Sequence, residues 1–344
     1  MKKSQPMMRI LVIGGTRFIG LEVVRQLQDQ GHKLLLFNRG KSQRELPDGI
    51  LHIQGDRQQL VEFKSSFREF APQLVLDMIP FTERQAADSV DCFRGMAERI
   101  VAISSQDVYR AWGRMLGSEP GESDPLPLTE DAPLREQYFP YRSYAVDADD
   151  LMYHYDKILV ERVFQNEPEL PATVLRLPMV YGPNDAQYRL FEQLKRMDDN
   201  RPFILLGEQM ATWRWTRGYV ENMATAIVAA VTDDIAAGKT YNTGAPVALS
   251  MKQWIEEVGK VAGWLGKIVV LPEDKLPAHL RNDINCRQSL VTDCSRLRED
   301  LLFDDHVSHE EGLEKTIKWQ RDNTPTEYDS EKFDYTAEDQ AWGE

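Results

Sequence analysis

Five apolar runs punctuate the first hundred residues: "MRILVIGG", "HKLLLFNRG", "LHIQGD", "QLVLDMI" and "RIVAISS". Each is short, rich in Val, Ile and Leu, and bounded by Gly, Asn, Asp or Ser, which is the pattern of a buried strand. Between the first two, "FIGLEVVRQLQDQG" repeats its apolar positions at helical spacing and closes on Gly31. Strands that alternate with helical segments predict βαβ crossovers and a doubly wound, parallel α/β sheet of the Rossmann type.

The pattern changes between Arg110 and Tyr144, where "GSEPGESDPLPLTEDAPLREQYFP" is rich in Pro, Gly, Ser and acid. Such a stretch predicts a long loop, and a loop of this length inside a compact domain is either functional or disordered. Helical periodicity returns in "DADDLMYHYDKILVERVFQ", Asp147 to Gln165, whose leading acids suit a helix N-terminus. "ATVLRLPMVYGP" predicts one more strand, and "GYVENMATAIVAAV" and "SMKQWIEEVGKVAGWLG" predict later helices. After Asn323 the chain is acidic and weakly periodic, a peripheral tail that Phe333, Tyr335 and Trp342 could pin to the body.

Composition narrows the function classes. Hydrophobic residues make up 42% and charged residues 28%, as in ordinary soluble domains. No apolar run is long enough to cross a bilayer. The opening "MKKSQPMMRILVIGG" leads into glycines rather than a cleavage site, so we expect no signal peptide and a cytoplasmic protein. Cys92, Cys286 and Cys294 lack metal-ligand or disulfide-framework spacing, and the six histidines show no paired motif, so no metal is expected. A formal charge of −14 opposes binding along a nucleic-acid backbone.

The chemistry-bearing signal begins where the first strand meets "GGTRFIG", Gly14 to Gly20. A glycine turn that opens a helix offers free backbone N–H groups and the positive end of a helix dipole to a pyrophosphate. Gly14 and Gly15 allow the turn and Gly20 allows close helix packing, with Thr16, Arg17, Phe18 and Ile19 completing the loop. At the end of the second strand an NAD site usually places an acid on the ribose 2′-OH. Asn38 and Arg39 stand there instead. With Arg17 as a second donor, Arg39 suits a 2′-phosphate, so NADP is favoured over NAD. Asp56 and Arg57 follow the third strand, where Asp56 could receive the adenine amino group.

A second constellation combines Ser104 and Ser105, at a strand's carboxyl end, with Tyr153 and Lys157. Positions i and i+4 share a helical face, so an unbroken helix would set the lysine ammonium beside the phenol and bring its pKa toward useful acid–base range. The spacing recurs at Tyr328 and Lys332 in the polar tail, so context rather than spacing favours the first pair.

Together, "GGTRFIG", "ISSQDVY", Tyr153 and Lys157 before "ILVE", "LRLPMVYGP", "YNTGAP" and the segment from Asp293 to Trp319 resemble the extended short-chain dehydrogenase/reductase family of nucleotide-sugar epimerases and dehydratases. The resemblance implies a Rossmann domain over 1–177, with the insertion at about 110–144. A smaller α/β substrate domain would follow, mainly over 178–323 with segments returning to the first, and then the tail, 324–344. It implies catalysis by Ser105, Tyr153 and Lys157. Tyr153 would exchange a proton with a substrate hydroxyl, Lys157 would bind the nicotinamide ribose, and Ser105 would orient the oxygen. Ser104, Pro178 and Val180 would border the cofactor.

Two departures sharpen the expectation. Arg17 replaces the family's middle glycine, giving GGxxxxG, as in an atypical branch that includes proteins called sugar dehydratase, isoflavone-reductase-like or chloroplast mRNA-binding. Met179 replaces an asparagine that contacts substrate in many sugar-nucleotide enzymes. Asp107, Met179, Arg214 and Arg217 are the substrate-side candidates. The expected activity is NAD(P)-dependent oxidoreduction or epimerisation of a hydroxyl or carbonyl on a sugar-like small molecule. The alternative is a dinucleotide-binding regulatory or RNA-binding protein on the same scaffold. The resemblance also allows a homodimer.

Overall fold

A computed structural model describes residues 6–41 and 48–343. The first five residues, which carry the basic start of the leader argument, lie outside it. Eleven strands are formed among the described residues: β1 Arg9–Ile13, β2 Lys33–Asn38, β3 Leu51–Gln54, β4 Leu74–Asp77, β5 Arg99–Ser105, β6 Ala172–Leu177, β7 Met179–Tyr181, β8 Phe203–Gly207, β9 Arg217–Tyr219, β10 Thr240–Asn242 and β11 Lys267–Leu271. Seven build one parallel sheet in the order β10-β6-β5-β4-β1-β2-β3. The order reverses between β1 and β4, which places a crevice at their carboxyl ends.

Alternation within β1 explains the two layers. Ile10 and Val12 join one core with Val23, Val24 and Leu27 of the helix Phe18–Asp29 and Ile227 and Val231 of the helix Val220–Thr232. Leu11 and Ile13 face the other core, with Phe67, Phe93, Val160 and Phe164. Both faces of the sheet are therefore dry, and the strands read as continuous apolar runs.

Three sequence expectations change. The single strand expected across 172–183 is two, because Pro178 has no N–H to offer a sheet neighbour. β6 stays in the main sheet while β7 leaves it to pair with β9. The 110–144 segment contains the short helix Arg110–Met115 and is fastened to the body by bridges from Tyr109 to Leu134 and from Leu128 to Thr292. Within it, buried Glu119 accepts the N–H groups of Glu136 and Gln137 at 2.7 and 2.8 Å. Lastly, the peripheral tail ends in a helix, Tyr335–Gly343, docked on the body. Trp342 packs on Phe203 at 4.5 Å between ring centroids, and the fully buried Glu338 accepts from Arg196 at 2.8 and 3.1 Å. No helix among the described residues is long and apolar enough to cross a membrane.

Removing one partner of a buried ion pair strands the other charge, which costs about 3–5 kcal/mol. Glu338→Ala is accordingly expected to lower the unfolding free energy measured in urea by that order, far more than loss of a surface acid such as Glu331 would. A change below about 1 kcal/mol would show that the terminal helix contributes little to the fold.

Candidate active site

The carboxyl ends of β1, β2, β3 and β4 open onto a groove of about 610 Å³. Its floor is the glycine turn. Gly15 takes φ +87°, and a Cβ on Gly20 would stand 2.7 Å from the Gly15 Cα, so the helix Phe18–Asp29 approaches the turn as closely as backbone allows. No side chain caps that helix at Arg17, which leaves its first turn open toward the groove.

Asn38, Arg39, Asp56 and Arg57 line the groove on its far side, as do Arg17, Phe18 and Ile19. The Asn38 carboxamide oxygen accepts from the Gly40 N–H at 2.8 Å, while its buried amide nitrogen has no partner among the described residues. Arg17 and Arg39 are exposed, and neither guanidinium meets a carboxylate among the described residues. Arg57 differs. It is buried and grips Asp77 through two 2.6 Å bonds, with a further 3.2 Å bond to Ser89. Its charge is spent inside the protein. Asp56 accepts the Gln58 N–H and caps the turn after β3.

At its inner end the groove reaches Phe81, Ile103 and Leu177. Behind them lies a buried polar cluster. Lys157 Nζ donates to the carbonyls of Pro80 and Ile103 at 2.9 and 2.8 Å and sits 4.8 Å from the Phe81 ring centroid. Burial brings its pKa down to about 8. Tyr155, stacked on Phe81, donates its hydroxyl to Asp107 Oδ2 at 2.9 Å, with Ser105 nearby easing its ionisation. Tyr141, from the insertion, donates to the same carboxylate oxygen at 3.0 Å. Asp107 Oδ1 is buried without a partner. Burial raises the Asp107 carboxyl above its ordinary range, against the pull of Arg135, and burial together with Asp107 raises Tyr155.

The helix expected across 147–165 is interrupted here. Leu151–His154 forms one short turn, Tyr155 and Asp156 are extended, and a new helix runs from Lys157 to Gln165. Asp156 is the cause. Its fully buried carboxylate caps the new helix at the Ile158 and Leu159 N–H groups and also accepts from Phe139 N–H at 2.7 Å. Tyr153 and Lys157 consequently do not share a helical face. Tyr153 lies outside the cluster, with the Arg142 guanidinium 4.6 Å over its ring. Tyr155 takes the inward position.

The model for a family described as "NAD dependent epimerase/dehydratase family" matches residues 10–244. The chain belongs to that family. Its members are NAD-dependent enzymes. Among curated relatives, a chloroplast stem-loop binding protein of 41 kDa from Arabidopsis thaliana is 28% identical over 252 residues, covering 68% of the chain and 58% of the relative. The chain thus matches less than two thirds of that relative's length. A dTDP-glucose 4,6-dehydratase from Neisseria meningitidis is 25% identical, with 92% and 94% of the two chains covered. The solved structure of MoeE5 in complex with UDP-glucose and NAD superposes with a TM-score of 0.64 at 18% identity, covering 92% of this chain and all of that one.

Among family-derived positions, Ser104 is buried and donates to Glu161 at 2.5 Å within the Glu161–Arg176 ion pair, away from the groove. Pro178, Met179 and Val180 follow the groove-lining Leu177, and Met179 is buried beside its strand partner Arg217. Arg214 is exposed and bonds the Ala248 carbonyl at 2.9 Å. Arg217 lines a different cavity altogether. Sequence reasoning missed Tyr155, Tyr141 and Asp156. One signal was present: an aspartate directly before "KILVE" is a strong N-cap, and it places the helix start at Lys157 rather than ten residues earlier.

Between pH 8 and 10.5 an unfolded chain keeps the Lys157 proton that the folded chain has shed, so unfolding free energy rises with pH across that window. The burial penalty is complete below pH 8 and gone above 10.5. Urea unfolding should show the wild type gaining stability relative to Lys157→Met as pH rises through this range. A constant difference would place the Lys157 pKa at its ordinary value.

Proposed function

We propose that the protein is an NAD(P)-dependent oxidoreductase or epimerase acting on a hydroxyl or carbonyl of a sugar or nucleotide-sugar-like substrate. The observation that carries this reading is the junction between groove and cluster. Ile103 and Phe81 line the groove, while Lys157 bonds the Ile103 carbonyl and Tyr155 stacks on Phe81. The MoeE5 complex and the dTDP-glucose dehydratase support the substrate class.

The groove fits a dinucleotide. Gly14, Gly15 and the open helix turn would hold the pyrophosphate, and the Asn38 amide and Arg39, neither with a partner for its side-chain donors among the described residues, would meet the adenosine ribose. Two uncommitted guanidiniums and no acid at the end of β2 favour NADP over NAD. The bound nicotinamide would supply hydride exchange with a substrate carbon.

Ser105 would position the substrate oxygen. Tyr155 would take the proton of the substrate hydroxyl while passing its own along the existing hydrogen bond to Asp107 Oδ2, so that one O–H bond forms at each acceptor as one breaks. A carboxyl made more basic by burial suits the end of that relay. Lys157 holds the groove wall by its two carbonyl bonds and provides the positive charge behind it. Tyr153 matches the family motif by position and is the competing proton carrier.

The two tyrosines are separable. Loss of a general acid–base group costs about 10²–10⁴ in rate, so Tyr155→Phe should lower kcat by at least about a hundredfold with cofactor affinity unchanged, and Tyr153→Phe by only a few-fold. The opposite ranking would return the role to Tyr153. If neither variant nor the wild type bound NADP or NAD in calorimetry, the enzymatic reading would fall. The stem-loop binding relative would then favour RNA binding, which a salt-dependent titration with hairpin RNA would show.

Cofactor choice has its own test. A charged hydrogen bond contributes about 1.5–3 kcal/mol, so Arg39→Asp should weaken NADP about tenfold or more and leave NAD within a factor of about three. Equal losses for both would remove the preference.

A further inference from the structure

A second cavity of about 430 Å³ lies between β7, β9 and the helices Val220–Thr232 and Met251–Ala262. It shares no lining residue with the cofactor groove. Its walls are aromatic: Tyr181 meets Tyr219 at 5.6 Å and Trp254 at 5.0 Å between centroids, and Trp215 closes another side.

Into this apolar space one cation is built. Arg217 is only 5% exposed, and no carboxylate lies within ion-pair range of it among the described residues. Its guanidinium has only long contacts with neutral groups: Nη1 to the Trp215 and Leu249 carbonyls at 3.2 and 3.4 Å, and Nη2 to Met251 Sδ at 3.7 Å. Nε is buried with no partner among the described residues, and the charge rests 4.4 Å from the Trp254 ring centroid. Cation–π contact stabilises such a charge by a modest amount, whereas a buried cation ordinarily needs an anion. Burial depresses the guanidinium to about 10, and it remains charged at neutral pH.

The remaining polar groups limit the anion. Asp305 and Glu257 also line the cavity, and Asp305 is paired with Arg298 at 3.0 Å. A phosphate dianion would add two negative charges to a cavity already lined by these acids. A single carboxylate would not carry the same repulsion. His309, held toward its neutral form mainly by burial, lies 3.4 Å from the Tyr181 hydroxyl and adds no second cation.

We propose that this cavity is a binding site for a small aromatic monocarboxylate, with its carboxylate on Arg217 and its ring between the tyrosine and tryptophan walls. The site is separate from the groove and does not depend on the activity assigned there.

Calorimetry with indole-3-carboxylate and benzoate tests it, with indole-3-methanol as the uncharged control. The expected result is saturable binding of at least one carboxylate tighter than about 1 mM, at least about tenfold weaker binding of the alcohol, and no change with saturating NADP. Arg217→Met should lose at least about tenfold in affinity. Val247→Trp, at an exposed position on the cavity rim, should block binding with no change in the core, and circular dichroism establishes that both variants are folded. No saturable heat up to about 10 mM in the wild type would overturn the proposal. So would unchanged binding in folded Arg217→Met, or displacement by NADP, which would move the ligand to the groove.

Discussion

The Asp156 carboxylate organises the buried polar cluster at the inner end of the groove. Fully buried, it ends one stretch of backbone and starts another by capping the helix Lys157–Gln165. The same group accepts the Phe139 N–H from the insertion and lies 3.5 Å from Arg135, while its own N–H bonds the Phe81 carbonyl. Phe81, the insertion and the helix are thus fixed to one point. The residue before the cap must be extended, and that extension turns Tyr155 inward onto Asp107. A carboxylate buried this deeply survives because every contact around it is a donor.

A second buried network supports the first from below. Arg176 on β6 forms a bidentate pair with Glu161 at 3.0 and 2.7 Å, and its other amino group reaches the Tyr109 hydroxyl and the Glu130 carbonyl. Tyr109 in turn donates to Asn242 on β10. One arginine therefore links the central sheet, the helix Lys157–Gln165 and the insertion. That linkage helps to fasten a segment so rich in Pro, Gly and acid: most of it faces solvent, but its buried polar residues Glu119, Asp124, Glu130 and Arg135 find partners inside. Composition measures the first property of such a loop and is blind to the second.

The same distinction separates what could be read in the sequence from what could not. The sheet was legible because parallel strands buried on both faces leave continuous apolar runs, and the glycine turn because a Cβ at Gly20 would meet backbone. The helix break at Tyr155 was hidden, since apolar residues on both sides keep helical spacing through it. Only the capping preference of Asp156 pointed to it. Convergence of Asp107, Tyr141 and Tyr155 could not be read at all, because Tyr141 arrives by the path of the insertion rather than by any local rule. The C-terminal helix was obscured in the same way: its anchor, Glu338, is a polar residue whose burial depends on Arg196, 142 positions away.

Charge shows how far a whole-chain property governs a local one. The chain carries a formal −14, which opposes a polyanion spread over its surface. Yet Arg17 and Arg39 line the groove with no carboxylate partner among the described residues, while Arg57, the residue after Asp56, is neutralised by Asp77. The difference is geometric: Arg57 follows β3 and points across to the end of β4, whereas the other two leave the sheet toward solvent. Of these three arginines, the outer pair is the one open to a ligand. A compact anion held within about one Debye length, 8–10 Å, feels those two charges far more than the distant acids, so an acidic balance that opposes long nucleic-acid tracks leaves a phosphate in this groove favoured.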